Sequence, residues 1–211
     1  ESLTQFVHRC RDRGVTADEL LDCLNLADAN RQFKTNEQRK ADNLVVFGLL
    51  LSLGEFDVAE IASSNREELV NRLVSWYAND PSSQIHGATG WLLRHWGYAE
   101  QAEKIDHTEV AITDDREWFV RKLDAVDSTS GEAAKSYYFT FIVFEGGEYF
   151  IGAPVNEGEG DRQFDETEQA VRLTRRFAVL DREVTRAEFE AFGGDVHPID
   201  QWSPPPGKHP M

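Results

Sequence analysis

Proline divides this chain more sharply than any other residue. Residues 1 to 110 carry one proline, Pro81, while the rest carry six, together with glycine clusters and β-branched runs. A proline inside a helix removes a backbone donor and clashes with the preceding turn, so the first part admits successive helices and the second favours strands and turns. The expected fold class is α+β, with a helical domain at 1–110 and a mixed α/β domain at 111–211. At 211 residues and 40% hydrophobic content, each part can bury a core without metal or disulfide staples.

Within the first part, Glu37 to Leu53 and Arg66 to Tyr77 place apolar residues at helical spacing. Asn65 is the expected N-cap of the second, ahead of Glu67 and Glu68, and Gly54 the stop of the first. A third helix is expected after Asp80-Pro81-Ser82-Ser83, with proline in its first turn, running through Ile85, Ala88, Trp91, Leu92 and Trp96 to Gly97. Val45, Gly48 and Leu51 match Ile85, Ala88 and Trp91 at an offset of 40, close to the period of HEAT-type repeats. In that reading the small residue, Gly48 or Ala88, lets neighbouring helices approach while the larger ones fill the layer between them. The stretch Trp91-Leu92-Leu93-Arg94-His95-Trp96-Gly97 also resembles the helical segment that precedes sulfatase-modifying-factor domains in large bacterial, often kinase-linked, multidomain proteins.

The polar run 127 to 136 reads as a loop. Around it lie Trp118-Phe119-Val120 and the strand Tyr137 to Phe144, followed by Gly146-Gly147 as a tight hairpin into Tyr149, Phe150 and Ile151. Val171 to Leu180 reads as one further strand. Thr185 then caps a short helix with Glu188 as its capping-box partner and Phe189 and Phe192 on one face, closed by Gly193-Gly194. Gly146, Gly147, Phe150, Gly152, Glu183, Val184, Thr185, Phe189 and Phe192 together resemble the start of a formylglycine-generating-enzyme (sulfatase-modifying-factor) domain, a C-type-lectin-like fold. Ile151 and Glu188 depart from the usual Met and Gln, and the common Pro-x-His step is absent from Asp165 to Gln169. The resemblance implies that the reactive cysteines and bound cations belong to the latter half of the domain, so no catalytic, cofactor-binding or metal-ligating residue is carried onto this chain; calcium is admitted only for the completed domain.

The remaining chemistry is weighed residue by residue. A net charge of −16 opposes general nucleic-acid binding, and the densest basic group, Arg172, Arg175 and Arg176, reads as edge-strand charge. Cys10 and Cys23 interrupt apolar helical stretches and read as buried free thiols, with a disulfide as the alternative. His8, His86, His95, His107, His197 and His209 lack the His-x-x-x-His spacing of the iron-dependent relatives. Glu157, Glu159, Asp161 and Glu168 fall at calcium-loop positions, but Arg162 occupies the place where the turn demands glycine, so a solvated loop is expected. The tail Trp202 to Lys208 reads as a crossing loop, with a polyproline ligand as the alternative. The longest apolar run, Leu44 to Leu51, is far shorter than the roughly 20 residues that span a bilayer.

Position one is Glu, and no charged-then-apolar leader follows it. The chain is therefore read as an excised, cytoplasmic piece. Three functions are expected to compete: a non-catalytic interaction or regulatory module; the scaffold half of a formylglycine-generating-type oxidase; and a signalling or defence protein switched by proteolysis. The expected partner is a second polypeptide completing the domain, with a protease or a kinase-linked protein as candidates, and neither nucleic acid nor membrane.

Overall fold

The computed structural model describes residues 3–31, 36–126, 133–152 and 168–192. It joins helices to antiparallel sheets, an α+β arrangement. Six helices come first: α1 (Leu3–Asp12), α2 (Ala17–Arg31), α3 (Asn36–Leu53), α4 (Ser63–Asn79), α5 (Ser83–His95) and α6 (Ala99–Asp106), with a 3₁₀ turn at Val58–Glu60. Then follow β1 (Trp118–Val126), β2 (Ala133–Phe144), β3 (Gly147–Ile151), β4 (Gln169–Leu173), β5 (Phe177–Leu180) and the short α7 (Arg186–Ala191). No described helix is long and apolar enough to cross a membrane.

Helices α2 and α3 pack as one pair, α4 and α5 as another, and α3 lies against α5. One continuous core results, centred on Leu24, Leu50, Leu53, Leu73, Ile85, Leu92 and Leu93. The offset of 40 misses the burial register. It sets exposed Val45 against fully buried Ile85 and half-buried Leu51 against exposed Trp91, whereas an offset of 39 pairs Val46 with Ile85, Leu50 with Thr89 and Leu53 with Leu92, all at 0% exposure. Gly48 does permit close approach, but to α1: a Cβ there would lie 2.8 Å from Leu3 Cδ1.

Two helix starts differ from expectation. Helix α4 begins at Ser63 with Ala62 as N-cap, so Asn65 is its third residue. Pro81 sits before the N-cap Ser82 of α5 rather than in its first turn, and the Ser82 N–H donates to Asp80 Oδ1 at 3.0 Å. The same Asp80 pairs with buried Arg31 at 2.7 Å, fixing the α4–α5 turn against α2.

Gly146-Gly147 is not a hairpin turn. Strand β2 pairs with β1 and β5, and β3 pairs with β4. The ladder β2–β5 ends at Phe144 opposite Phe177, and β3–β4 begins at Gly147 opposite Leu173. Two residues on one arm therefore face three on the other, so both arms form one kinked ribbon with an extra residue, as in a bulge. The kink also breaks the expected strand 171–180 at Thr174-Arg175-Arg176. Glycine is favoured at the crossing because a Cβ on Gly146 would crowd the Leu173 carbonyl oxygen at 3.0 Å. Of the expected loop 127–136, residues from Ala133 onward belong to β2, with Ala133 opposite Val126. Helix α7 carries the expected capping box: Thr185 Oγ1 accepts from Glu188 N–H, and Glu188 Oε2 accepts from Thr185 N–H. Gly193-Gly194 lies outside the described residues.

Candidate functional site

The first strand enters the helical part. Trp118, fully buried, donates its indole N–H to the Asp80 carbonyl at 2.8 Å and stacks on His86 with ring centroids 3.6 Å apart. His86 is stacked on its other side by Tyr77 at 4.3 Å. Glu117, one residue earlier, accepts from the Ser83 N–H and hydroxyl at the start of α5. A side chain from the second part thus satisfies one of the orphan N-terminal donors of a helix in the first.

Beside this stack lies a cavity of about 390 Å³ between α5, α6, β2 and the segment after β5. Gly87 and Gly90 leave the α5 backbone bare on its wall. Gly90 is also needed for packing, since a Cβ there would lie 2.5 Å from the Tyr77 ring; at Gly87 the same atom meets nothing within 4 Å. Arg94 bonds Asp106 at 2.5 Å and donates to the Gly90 carbonyl at 2.9 Å, while Tyr77 donates its hydroxyl to the other Asp106 oxygen at 2.5 Å. On the opposite wall Arg182 holds Glu188 at 2.5 Å.

These contacts set the protonation states. Burial depresses His86 to about 4, against which its Nδ1 contact with the Tyr77 carbonyl at 2.8 Å works only partly. The ring is neutral at pH 7; donation from Nδ1 to that carbonyl leaves Nε2 an acceptor. Burial and the Asp106 bond raise the Tyr77 phenol. The Arg182 bond pulls Glu188 down to about 2. Asp181 moves the other way: desolvation raises its carboxyl, opposed by the neighbouring Arg182 cation.

The residues singled out in the sequence divide unevenly. His86 and His107 line this one cavity, the latter against the Tyr138 ring at 5.3 Å. His8 lies 3.1 Å from Glu55 on the surface, and His95 stacks on exposed Trp91. Among the described residues no three His, Cys, Asp or Glu side chains are grouped as a metal site. Arg175 and Arg176 lie at the ribbon kink rather than on a strand edge, and Arg176 is engaged by Glu145 at 3.0 Å and by the Arg116 carbonyl. Cys10 is buried, but Cys23 is exposed, because α2 buries Leu20, Leu21 and Leu24 and turns position 23 away; both thiols are free. Glu168 is exposed just before β4; Glu157, Glu159, Asp161, Arg162, His197, His209 and the tail 202–208 lie outside the described residues.

No family model, curated protein or solved structure matches the chain. The site is therefore read from its own geometry. Sequence reasoning missed Tyr77, Asp106, Glu117, Asp181 and Arg182. One signal was present: Gly87 and Gly90 sit inside a helical stretch, where each costs up to about 1 kcal/mol relative to alanine, an expense that calls for a reason of packing or access.

Proposed function

We propose that this chain is a non-catalytic interaction module in which HEAT-like helix pairs support the first part of a formylglycine-generating-enzyme-like, C-type-lectin-like domain. The observation that carries the reading is the state of the cavity's ionisable groups. Arg94 and Arg182 are each tied to a carboxylate, and His86 is locked between two rings and held neutral. Such groups shape and polarise a pocket for binding, whereas general acid–base work calls for a titrating group poised near the operating pH. The finer fold assignment draws support from the two helix pairs and from the capped α7, whose following residue Phe192 packs on Tyr137 and Phe139 of β2.

The partner we propose is a second polypeptide that completes the strand-rich domain. Phe150 is 71% exposed and Ile151 59%, with Val184, Phe189 and Phe192 about half exposed. Apolar exposure of this extent on an acidic chain marks an interaction surface. Native mass spectrometry of the protein from its own host, followed by hydrogen exchange, tests this. A stoichiometric second polypeptide that protects the amides of β3 and α7 is the expected result. A chain that travels alone with those amides already protected overturns it.

A further inference from the structure

The two edges of the three-stranded sheet are finished differently. Its order is β1-β2-β5, so β1 and β5 are the outer strands. The outer side of β1 is closed: Val110 and Val120 exchange backbone bonds at 3.1 Å, and Glu109 Oε1 accepts from the Lys122 N–H at 3.2 Å. Charged residues guard that strand as well, at Arg121, Lys122 and Asp124. Strand β5, Phe177-Ala178-Val179-Leu180, has no charge, no proline and no described strand on its far side. An apolar edge of this kind is a template for another strand.

The ladder decides which groups that edge offers. The Asp181 N–H donates to the Thr140 carbonyl at 3.1 Å, so Asp181 faces β2. Antiparallel bonding alternates along a strand, which turns Val179 and Phe177 inward as well and leaves the N–H and C=O of Ala178 and Leu180 pointing outward. Val143, opposite Ala178, fits this alternation: it donates away from β5, to the Glu117 carbonyl at 2.8 Å. Among the described residues no backbone group bonds the outward pair. Between them the Val179 side chain is 48% exposed.

This edge is complementary to itself. Antiparallel pairing of two copies about a two-fold axis at Val179 sets Ala178 of each against Leu180 of the other, so every outward donor meets an outward acceptor. The two Val179 side chains then cover one another. In the same register Arg175 falls opposite Glu183 of the second copy; both are exposed and have no charge partner among the described residues.

We propose that β5 pairs with β5 of a second copy of this chain, joining the two sheets edge to edge. So short an edge covers far less than the roughly 1,200 Å² of a stable interface, and each copy carries a charge of −16, so association is weak and tightens with salt. The contact uses backbone groups of β5 rather than the apolar side chains of β3 and α7, and it stands or falls separately from the second polypeptide.

The test is sedimentation velocity of the whole chain from about 0.01 to 1 mM, at low salt and in about 0.5 M sodium chloride, with amide exchange by NMR at both ends of the range. A monomer–dimer equilibrium favoured by salt is expected. The Ala178 and Leu180 amides should slow as concentration rises, while those of Phe177 and Val179, bonded to β2, stay protected throughout. Val179→Lys sets two cations against each other at the axis, and Ala178→Pro removes a donor the fold does not use; each should weaken association about tenfold, with the Phe177 amide still protected as the sign of intact folding. Arg175→Glu should weaken it about two- to fivefold and the further change Glu183→Arg should restore it, whereas Lys40→Glu, the same charge change on α3, should leave it unmoved at high salt. The proposal is overturned if the chain stays monomeric at the highest concentration and salt, if the Ala178 and Leu180 amides are already protected in dilute solution, if a dimer forms that both edge variants leave intact, or if the reversed charge pair does not restore it. Protection of those amides by the second polypeptide alone assigns the edge to that partner and overturns self-pairing as well.

Discussion

The helical and strand-rich parts solve the problem of burial differently. In the helices one cluster runs from Cys10 to Ala102 and holds at least seven large side chains at 0% exposure. Among the described residues of the strands the buried apolar ones are few: Trp118, Val120, Ala125 and Phe139. Trp118 is the largest of these; it stacks on His86 of α5, donates to the Asp80 carbonyl between α4 and α5, and lies under the Arg116 guanidinium. The helices thus bury a core of their own, while the largest buried side chain of the strands is seated at a joint with the helices. Stacked helix pairs bury a face by neighbour contact, but a narrow antiparallel ribbon has two faces to cover and too few residues to do so.

The largest expected effect follows from that joint. Trp118→Ala should cost about 3–5 kcal/mol, the range for removing a buried large aromatic. Its site predicts more than a lower melting temperature. Hydrogen exchange should show β1 and β2 losing protection while α2 to α5 keep theirs, because the helical core contains no residue of the ribbon. If all elements melt together in the variant as in the parent, the two parts form a single cooperative unit and the comparison breaks.

Acid should open the same joint. His86 titrates at about 4 in the folded chain against an ordinary 6.5, so the unfolded state binds its proton first as pH falls. Stability is fully present above pH 6.5 and is lost between 6.5 and 4, by on the order of 3 kcal/mol. A proton on His86 would also face Arg116 and Arg94, which oppose it, while Asp106 favours it. Glu188 works in a lower window: its carboxyl is depressed to about 2, so its contribution is lost as pH falls from 4.5 to 2. Denaturant melts at pH 7, 5 and 3 should show the first loss in His86→Phe only weakly, while the second persists.

A third contrast concerns glycines that look alike in the sequence. Gly54→Ala puts a Cβ 2.2 Å from Trp91 Cη2 and should cost about 1–3 kcal/mol as overpacking. Gly87→Ala meets nothing and should stabilise by up to about 1 kcal/mol through helix propensity. Thermal melts of the pair decide between crowding and propensity, and equal effects would remove the close approach of Trp91 as the reason for glycine at 54.

What the sequence disclosed and what it hid follow the same division. Helices α3 and α5 were legible because apolar residues recur at helical spacing and Gly97, at φ +86°, stops the chain where glycine alone is unstrained. The capping box at Thr185 was legible because its partners lie three residues apart. The ribbon was not, since β2 meets β5 across some 35 residues and its kink depends on pairing that no local pattern records. The cavity was hidden for the same reason: Tyr77, His86, Asp106 and Asp181 come from four separate elements. Even the helical offset erred by one residue, enough to exchange an exposed face for a buried one.

The smallest effect isolates the one local device of the strand-rich part. Thr185→Ala removes the hydroxyl that accepts from Glu188 N–H, and a lost N-cap costs about 1 kcal/mol. Glu188 retains Arg182 and the Thr185 backbone N–H, so the carboxylate stays bound and the loss should not spread. The helix is only six residues long and cannot persist by propensity, which ties its survival to the cap and to Phe192 on Tyr137 and Phe139. Faster amide exchange confined to α7, with β2 unchanged, is the expected outcome. If β2 loosens too, α7 acts as the outer clamp of the ribbon, and the dependence of the strands on the Trp118 joint would be shared between both ends.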